Sequence, residues 1–168
     1  MSSDDITTAS DKPDGPASRL GIIVIAATLL LDQVTKWIAQ STLNDGERTT
    51  FLPLLDLTYE QNTGIAFSFL RGVDSSVLLG LVVLITLVVL IIWQRSQEGG
   101  KIAAVGYGLI IGGAVGNIVD RVTHGYVVDF LILHWGDRDL FIFNLADFAL
   151  TLGPLLLIYA YLRPRRAA

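Results

Sequence analysis

The chain has 168 residues, 52% of them apolar before its 16 glycines are counted, and only 17% charged. Soluble domains reach about a quarter charged, so a soluble globular protein is disfavoured, and the length allows one domain. A net charge of −4 argues against a nucleic-acid partner, and a chain with no cysteine has no disulfide, thiolate metal site, cysteine nucleophile or lipidated cysteine.

Residues 1–19 are rich in Ser, Asp, Thr, Pro and Gly. They bury too little apolar area to offset the entropy of ordering and are expected to form a disordered tail. They do not resemble a cleavable signal peptide, because a basic n-region is missing and the next apolar run is too long for an h-region. Four apolar runs follow, Leu20 to Ile38, Val77 to Trp93, Ile102 to Val119 and Ala146 to Leu162. Each falls within the roughly 17 to 25 residues that a membrane-spanning helix needs. The second run carries no charge, and Trp93 at its end is expected to be an interfacial aromatic.

The connections between the runs differ in kind. Residues 44–71 contain LLDLTYE, an alternating stretch that suits a short strand, and QNTGIAFSF, in which Gly64 suggests a turn or bulge. Gln94 to Lys101, QRSQEGGK, suits a tight polar turn. Residues 120–145 contain YVVDFLIL and DLFIF, β-branched and aromatic. The expected fold is therefore an all-α polytopic membrane protein of four transmembrane helices over residues 20–162, with a small extracytoplasmic β-sheet and a basic cytoplasmic tail at 163–168.

Basic residues give the orientation. With the N-terminus cytoplasmic, the inner segments hold Lys12, Arg19, Arg95, Lys101, Arg163, Arg165 and Arg166, and the outer loops hold Arg48, Arg71, Arg121 and Arg138. This bias predicts both termini inside and both long loops outside.

Ionisable and amide groups near a bilayer are expensive and usually functional. Asp32 and Lys36 fall in the outer half of the first helix. Asn117, Asp120 and Arg121 close the third, Asn144 and Asp147 open the fourth, and Asn62 and Asp129 lie in the outer loops. All thus converge on one level near the outer leaflet. Plainer roles exist for most of them. Asp32 and Lys36, spaced i, i+4, suit an ion pair that only positions the helix. Asn144 and Asp147 suit helix caps, Asp120 with Arg121 an interfacial boundary pair, and Asn117 a bond to a neighbouring helix. Asp129 resists such a role best, since VVDFLIL surrounds it with apolar residues. Gly108, Gly112 and Gly116 form a ridge expected to serve close helix packing, not phosphate binding.

No G-x-S-x-G elbow or zinc motif occurs, and two histidines, His124 and His134, argue against a metal centre. What remains is carboxylates. Two aspartates held close together do not both ionise easily, so one can activate a water while the other, protonated, polarises a carbonyl. Such aspartic protease chemistry needs no metal and no cofactor.

The segments Asp32 to Lys36, Asn62 to Phe67, Gly112 to Arg121, Val127 to Phe130 and Phe143 to Asp147, taken in order, closely resemble the lipoprotein signal peptidase family, also called signal peptidase II. The resemblance covers residues 20 to 162. It implies a bacterial inner-membrane aspartyl endopeptidase that removes the signal peptide from diacylglyceryl-modified prolipoproteins, cutting just before the lipidated cysteine. By match, Asp129 and Asp147 form its catalytic pair. Asn62, Asn117, Asp120, Arg121 and Asn144 fall on polar positions around the site, and Asp32 and Lys36 on the first-helix motif. The implied partners are lipidated prolipoproteins, membrane lipids and globomycin-type inhibitors, and the family fold also has a flexible outer segment. A small proton-coupled transporter or channel subunit using Asp32 and Lys36 as a relay is the competing reading, opposed by the lack of an inverted hydropathy repeat and by inner helix halves bare of ionisable groups. A purely structural subunit with capped helices is the other.

Overall fold

The structure is a computed structural model that describes residues 12–64 and 75–163. In chain order the elements are α1 (Arg19–Thr42), β1 (Thr49–Leu52), β2 (Leu55–Asn62), α2 (Ser75–Arg95), α3 (Gly100–His124), β3 (Val127–Trp135), β4 (Arg138–Phe143) and α4 (Leu145–Leu162). All four helices are long and apolar enough to span a bilayer, and even α4, at 18 residues, rises about 27 Å. The chain is thus a polytopic membrane protein with a small antiparallel sheet, as its hydropathy predicts.

Helix α3 is the centre of the bundle and packs against the other three. Its glycines make this possible. A Cβ at Gly112 would sit 2.7 Å from Thr28 Cβ and 2.9 Å from the Ile25 carbonyl, and one at Gly116 would overlap the Asp32 carboxylate, so the expected ridge is the face on which α1 lies. A second face, not apparent from the sequence, meets α4. There a Cβ at Gly113 would come 2.6 Å from Ala146 O, and one at Gly153 2.7 Å from Gly106 O. Dispersion between closely approached backbones replaces the hydrophobic drive that a bilayer does not supply.

The end of the bundle away from the sheet departs from expectation. Trp93 is no interfacial aromatic: it is 1% exposed, stacks on Tyr107 with ring centroids 5.6 Å apart, and its indole N–H donates to the Asp14 carbonyl over 2.8 Å. Pro13 is buried here too, and the Ser18 hydroxyl caps α1 by accepting from Gly21 N–H. Residues 12–18 are therefore packed on the helices instead of belonging to the expected disordered tail, because Trp93 supplies both an apolar platform and a donor that needs a partner. Residues 1–11, residues 65–74 with the end of the Asn62 to Phe67 motif and the expected flexible outer segment, and residues 164–168 of the expected basic tail lie outside the described residues.

The sheet has the order β1-β2-β3-β4, antiparallel throughout. Strands β2, β3 and β4 coincide with the expected stretches, whereas β1, TTFL, is one the sequence pattern does not announce. Leu55, Leu57, Leu131 and Phe143 pack with Ala39 and Leu43 at the end of α1, joining the sheet to the bundle. Gly64 takes the turn expected of it, with φ +111° and its N–H donating to Asn62 Oδ1 over 2.9 Å.

Candidate active site

Where the sheet meets the ends of α1 and α3 and the start of α4, the structure gathers the polar residues singled out from the sequence into one hydrogen-bonded set. Lys36 is its buried centre, 2% exposed. Its ammonium lies 2.8 Å from Asp32 Oδ2 and 2.9 Å from Asp120 Oδ2, and donates to Asn117 Oδ1 over 2.9 Å, so all three N–H groups have acceptors. Asp32 also accepts from Ala146 N–H over 2.9 Å, so a carboxylate of α1 caps the first turn of α4. Asp120 accepts from Val128 N–H over 3.0 Å, tying α3 to β3. The i, i+4 pair of Asp32 and Lys36 therefore exists and has a third member. Asp120 does not serve as a boundary pair with Arg121, since its carboxylate faces inward to Lys36.

Gln33 also belongs to the set, and its sequence signal is the same as that of the other amides, a polar side chain in a spanning segment. Its Nε2 donates to Asp120 Oδ1 over 2.9 Å and to Asp32 Oδ2 and Gly116 O at 3.3 Å each. It shares the load of two buried carboxylates that face one ammonium.

Above this base sit Asp129 and Asp147. Asp129 lies on β3 opposite a register shift in β2 between Leu57 and Glu60, the kind of irregularity that re-aims a strand. Its carboxylate is 3% exposed and held from both sides, Oδ2 by Asn62 Nδ2 at 2.8 Å and Oδ1 by Asn144 Nδ2 at 2.7 Å. Asp147 is half-buried in the first turn of α4. Its Oδ1 accepts from Asn117 Nδ2 over 2.9 Å and its Oδ2 from Asn144 N–H over 3.3 Å. Asn144 completes a capping box, its side-chain oxygen accepting from Asp147 N–H over 2.9 Å. The cap suggested for Asn144 and Asp147 is thus real, yet it leaves Asp147 Oδ1 turned toward Asn117 and the set around Asp129.

Burial pushes the Asp129 carboxyl up to about 7, the charge of Asp147 adds to that rise, and the amides of Asn62 and Asn144 oppose it. Asp129 therefore exchanges a proton near neutrality beside a second carboxyl, as acid-base hydrolysis of an amide requires. Arg121 Nη1 donates to the Asn117 carbonyl over 3.3 Å, and the guanidinium acts electrostatically on Asp147, Asp129 and Asp120. Among the described residues, no group of three or more His, Cys, Asp or Glu is arranged to hold a metal ion.

Comparison with known proteins points the same way. The family described as Signal peptidase (SPase) II matches residues 24–163. The lipoprotein signal peptidases of Brucella ovis and Brucella melitensis biotype 1 are each 36% identical over 137 residues, 82% of this chain and 86% of the relative. Two solved structures, both described as bacterial membrane enzymes obtained by the in meso method, superpose with TM-scores of 0.75 and 0.73. They are 29% and 31% identical, covering 88% and 84% of this chain and 93% and 92% of theirs.

Proposed function

The chain belongs to the signal peptidase II family and is an aspartic endopeptidase that removes signal peptides from prolipoproteins; from this premise we propose that Asp129 and Asp147 are its catalytic pair. The observation that carries the assignment is the shared scaffold, in which Asn144 and Asn117 hold both carboxylates at the point where β3 meets the start of α4.

In the proposed reaction, Asp129 holds its proton and donates it to the scissile carbonyl oxygen while Asp147 takes a proton from the attacking water. As the tetrahedral adduct collapses and its C–N bond breaks, Asp147 passes the proton it took from water to the leaving amine, and Asp129 recovers a proton from the adduct hydroxyl as the carbonyl re-forms. The bond cut lies just before the lipidated cysteine. The active site faces the outer leaflet of the bacterial inner membrane, with both termini cytoplasmic and the sheet extracytoplasmic, so the acyl chains of the substrate anchor it at the depth of the aspartates. Bilayer lipids and globomycin-type inhibitors would meet the same region. Arg121, Asn62 and Asn117 orient the pair or the substrate, and Lys36 with Asp32 and Asp120 supports it from below.

The test is cleavage of a diacylglyceryl-modified prolipoprotein by purified protein carrying Asp129→Asn, Asp147→Asn or both. Each single variant should lose cleavage while remaining folded, and the double variant should be little worse, as expected of groups that act as a unit. Asparagine caps helices about as well as aspartate, so near wild-type cleavage by Asp147→Asn would reduce that residue to a cap.

A further inference from the structure

Both turns of the sheet lie at one end. Leu55 pairs with Leu133, and His134 N–H donates to the Leu54 carbonyl over 3.0 Å, so the turn at 53–54 adjoins the one at 136–137. Around these turns Phe51, Leu52, Leu54, Trp135, Leu140 and Phe141 are exposed, from 44% at Leu54 to 71% at Trp135. Such a concentration of large apolar side chains marks a surface with a partner.

The register says which way that surface faces. Leu52, Leu55, Leu133 and Phe141 are successive cross-strand partners and so form one row on one face across all four strands. The adjacent row on that face, Leu57, Leu131 and Phe143, packs on Ala39 and Leu43 at the end of α1, and the Phe141 ring lies 5.5 Å from that of Phe143. The apolar face that covers the end of α1 therefore continues outward past it. Trp37 and Ile38, in the last turns of α1, are exposed on the flank of a helix apolar enough to span a bilayer. A sheet that overhangs such a helix with its apolar face turned toward it meets the bilayer surface.

We propose that the turn end of the sheet docks on the phospholipid interface beside α1, inserting the row from Leu52 to Phe141 and the Trp135 side chain to headgroup depth. Charge is arranged to permit this. Arg48 binds both Asp56 and Asp139 next to the tip, and Arg138, the cross-strand partner of Trp135, joins it in the aromatic and basic pairing found at membrane interfaces. Strand β3 runs about 20 Å from Asp129 to Trp135, so docking at one end fixes the height of the carboxylate at the other. The proposal rests on the spanning helices and does not depend on which residues cut the substrate.

The natural absence of cysteine allows single spin labels. Leu52→Cys, Phe141→Cys, a hydrocarbon reference at Leu84→Cys on α2 and an aqueous reference at Gln97→Cys are each labelled in the full chain. Each is reconstituted in vesicles of phosphatidylethanolamine and phosphatidylglycerol, and only protein that still elutes as wild type is measured. Collision with oxygen is compared with collision with a nickel chelate by power saturation. Labels at 52 and 141 should favour oxygen, with the sign seen at 84 and opposite to that at 97. Preference for the chelate would put the tip in water, and protection from both reagents would mean a protein partner, such as a second copy of the chain. Either result overturns the proposal.

Discussion

The side-chain amide of Asn144 donates to the Asp129 carboxylate over 2.7 Å, while the oxygen of the same amide accepts the N–H of Asp147. One residue thus caps α4 and holds a proposed catalytic carboxyl, and the two roles separate by substitution. Asn144→Ser keeps a good N-cap but removes the donor to Asp129, whereas Asn144→Ala removes both. Both variants take the amide donor from the buried Asp129 carboxylate and Val128 carbonyl and should lose most activity and some stability, and the alanine variant should lose about 1 kcal/mol more because it also lacks the cap. The amide favours the ionised carboxylate, so its loss should move the alkaline limb of the pH-activity profile to higher pH in the serine variant. An unmoved limb would show that the amide does not act on Asp129.

Titration of Asp129 also predicts how stability depends on pH. Its carboxyl lies near 7 in the fold against an ordinary 3.8, so the fold favours the protonated form. That contribution is full below the ordinary value and is lost as pH climbs to about 7. Between about pH 4 and 7 the wild-type thermal midpoint should fall with a slope that Asp129→Asn reduces. Parallel slopes for the two proteins would contradict the shift.

Gly116 ties helix packing to the charged set. A Cβ there would overlap Asp32 Oδ2, which contacts Lys36. Gly116→Ala should therefore destabilise the protein by about 1 to 3 kcal/mol, the usual range for overpacking, and lower activity with it. Gly80 on α2 has nothing within 4 Å of the corresponding position, so Gly80→Ala should be neutral or slightly stabilising. Thermal unfolding of both variants in one detergent checks the contrast, and equal midpoints would mean that α3 and α1 leave room for a methyl group at Gly116.

Orientation is tested with single cysteines at Gln97, in the turn between α2 and α3, and at Glu47, between α1 and β1. Both positions are exposed, unlike Asp56 on β2, which is buried under Arg48. An impermeant thiol reagent should label Glu47→Cys from the extracytoplasmic side and Gln97→Cys only after the membrane is opened. Labelling of both from one side would overturn the topology.

What the amino-acid order determined by itself is what one-dimensional physics controls. A run of apolar residues crosses a bilayer whatever its neighbours are, an alternating stretch pairs as a strand, and an ionisable group near lipid is costly enough to betray itself. The four helices, three of the four strands, the turn at Gly64 and the polar residues of the site were legible for those reasons. Partnership was not. Lys36 lies one turn from Asp32, so that pair was visible, but its second carboxylate, Asp120, comes from another helix, as does Asn117. Helical periodicity tells which face a residue occupies and not what stands opposite. For the same reason only the tertiary structure decided that Asp32 caps α4, that Gln33 joins the set, that Trp93 turns inward to Asp14, and that α3 has a second glycine face for α4. In a low-dielectric interior every donor and carboxylate must find a partner, and which partner is within reach is set by how the helices pack.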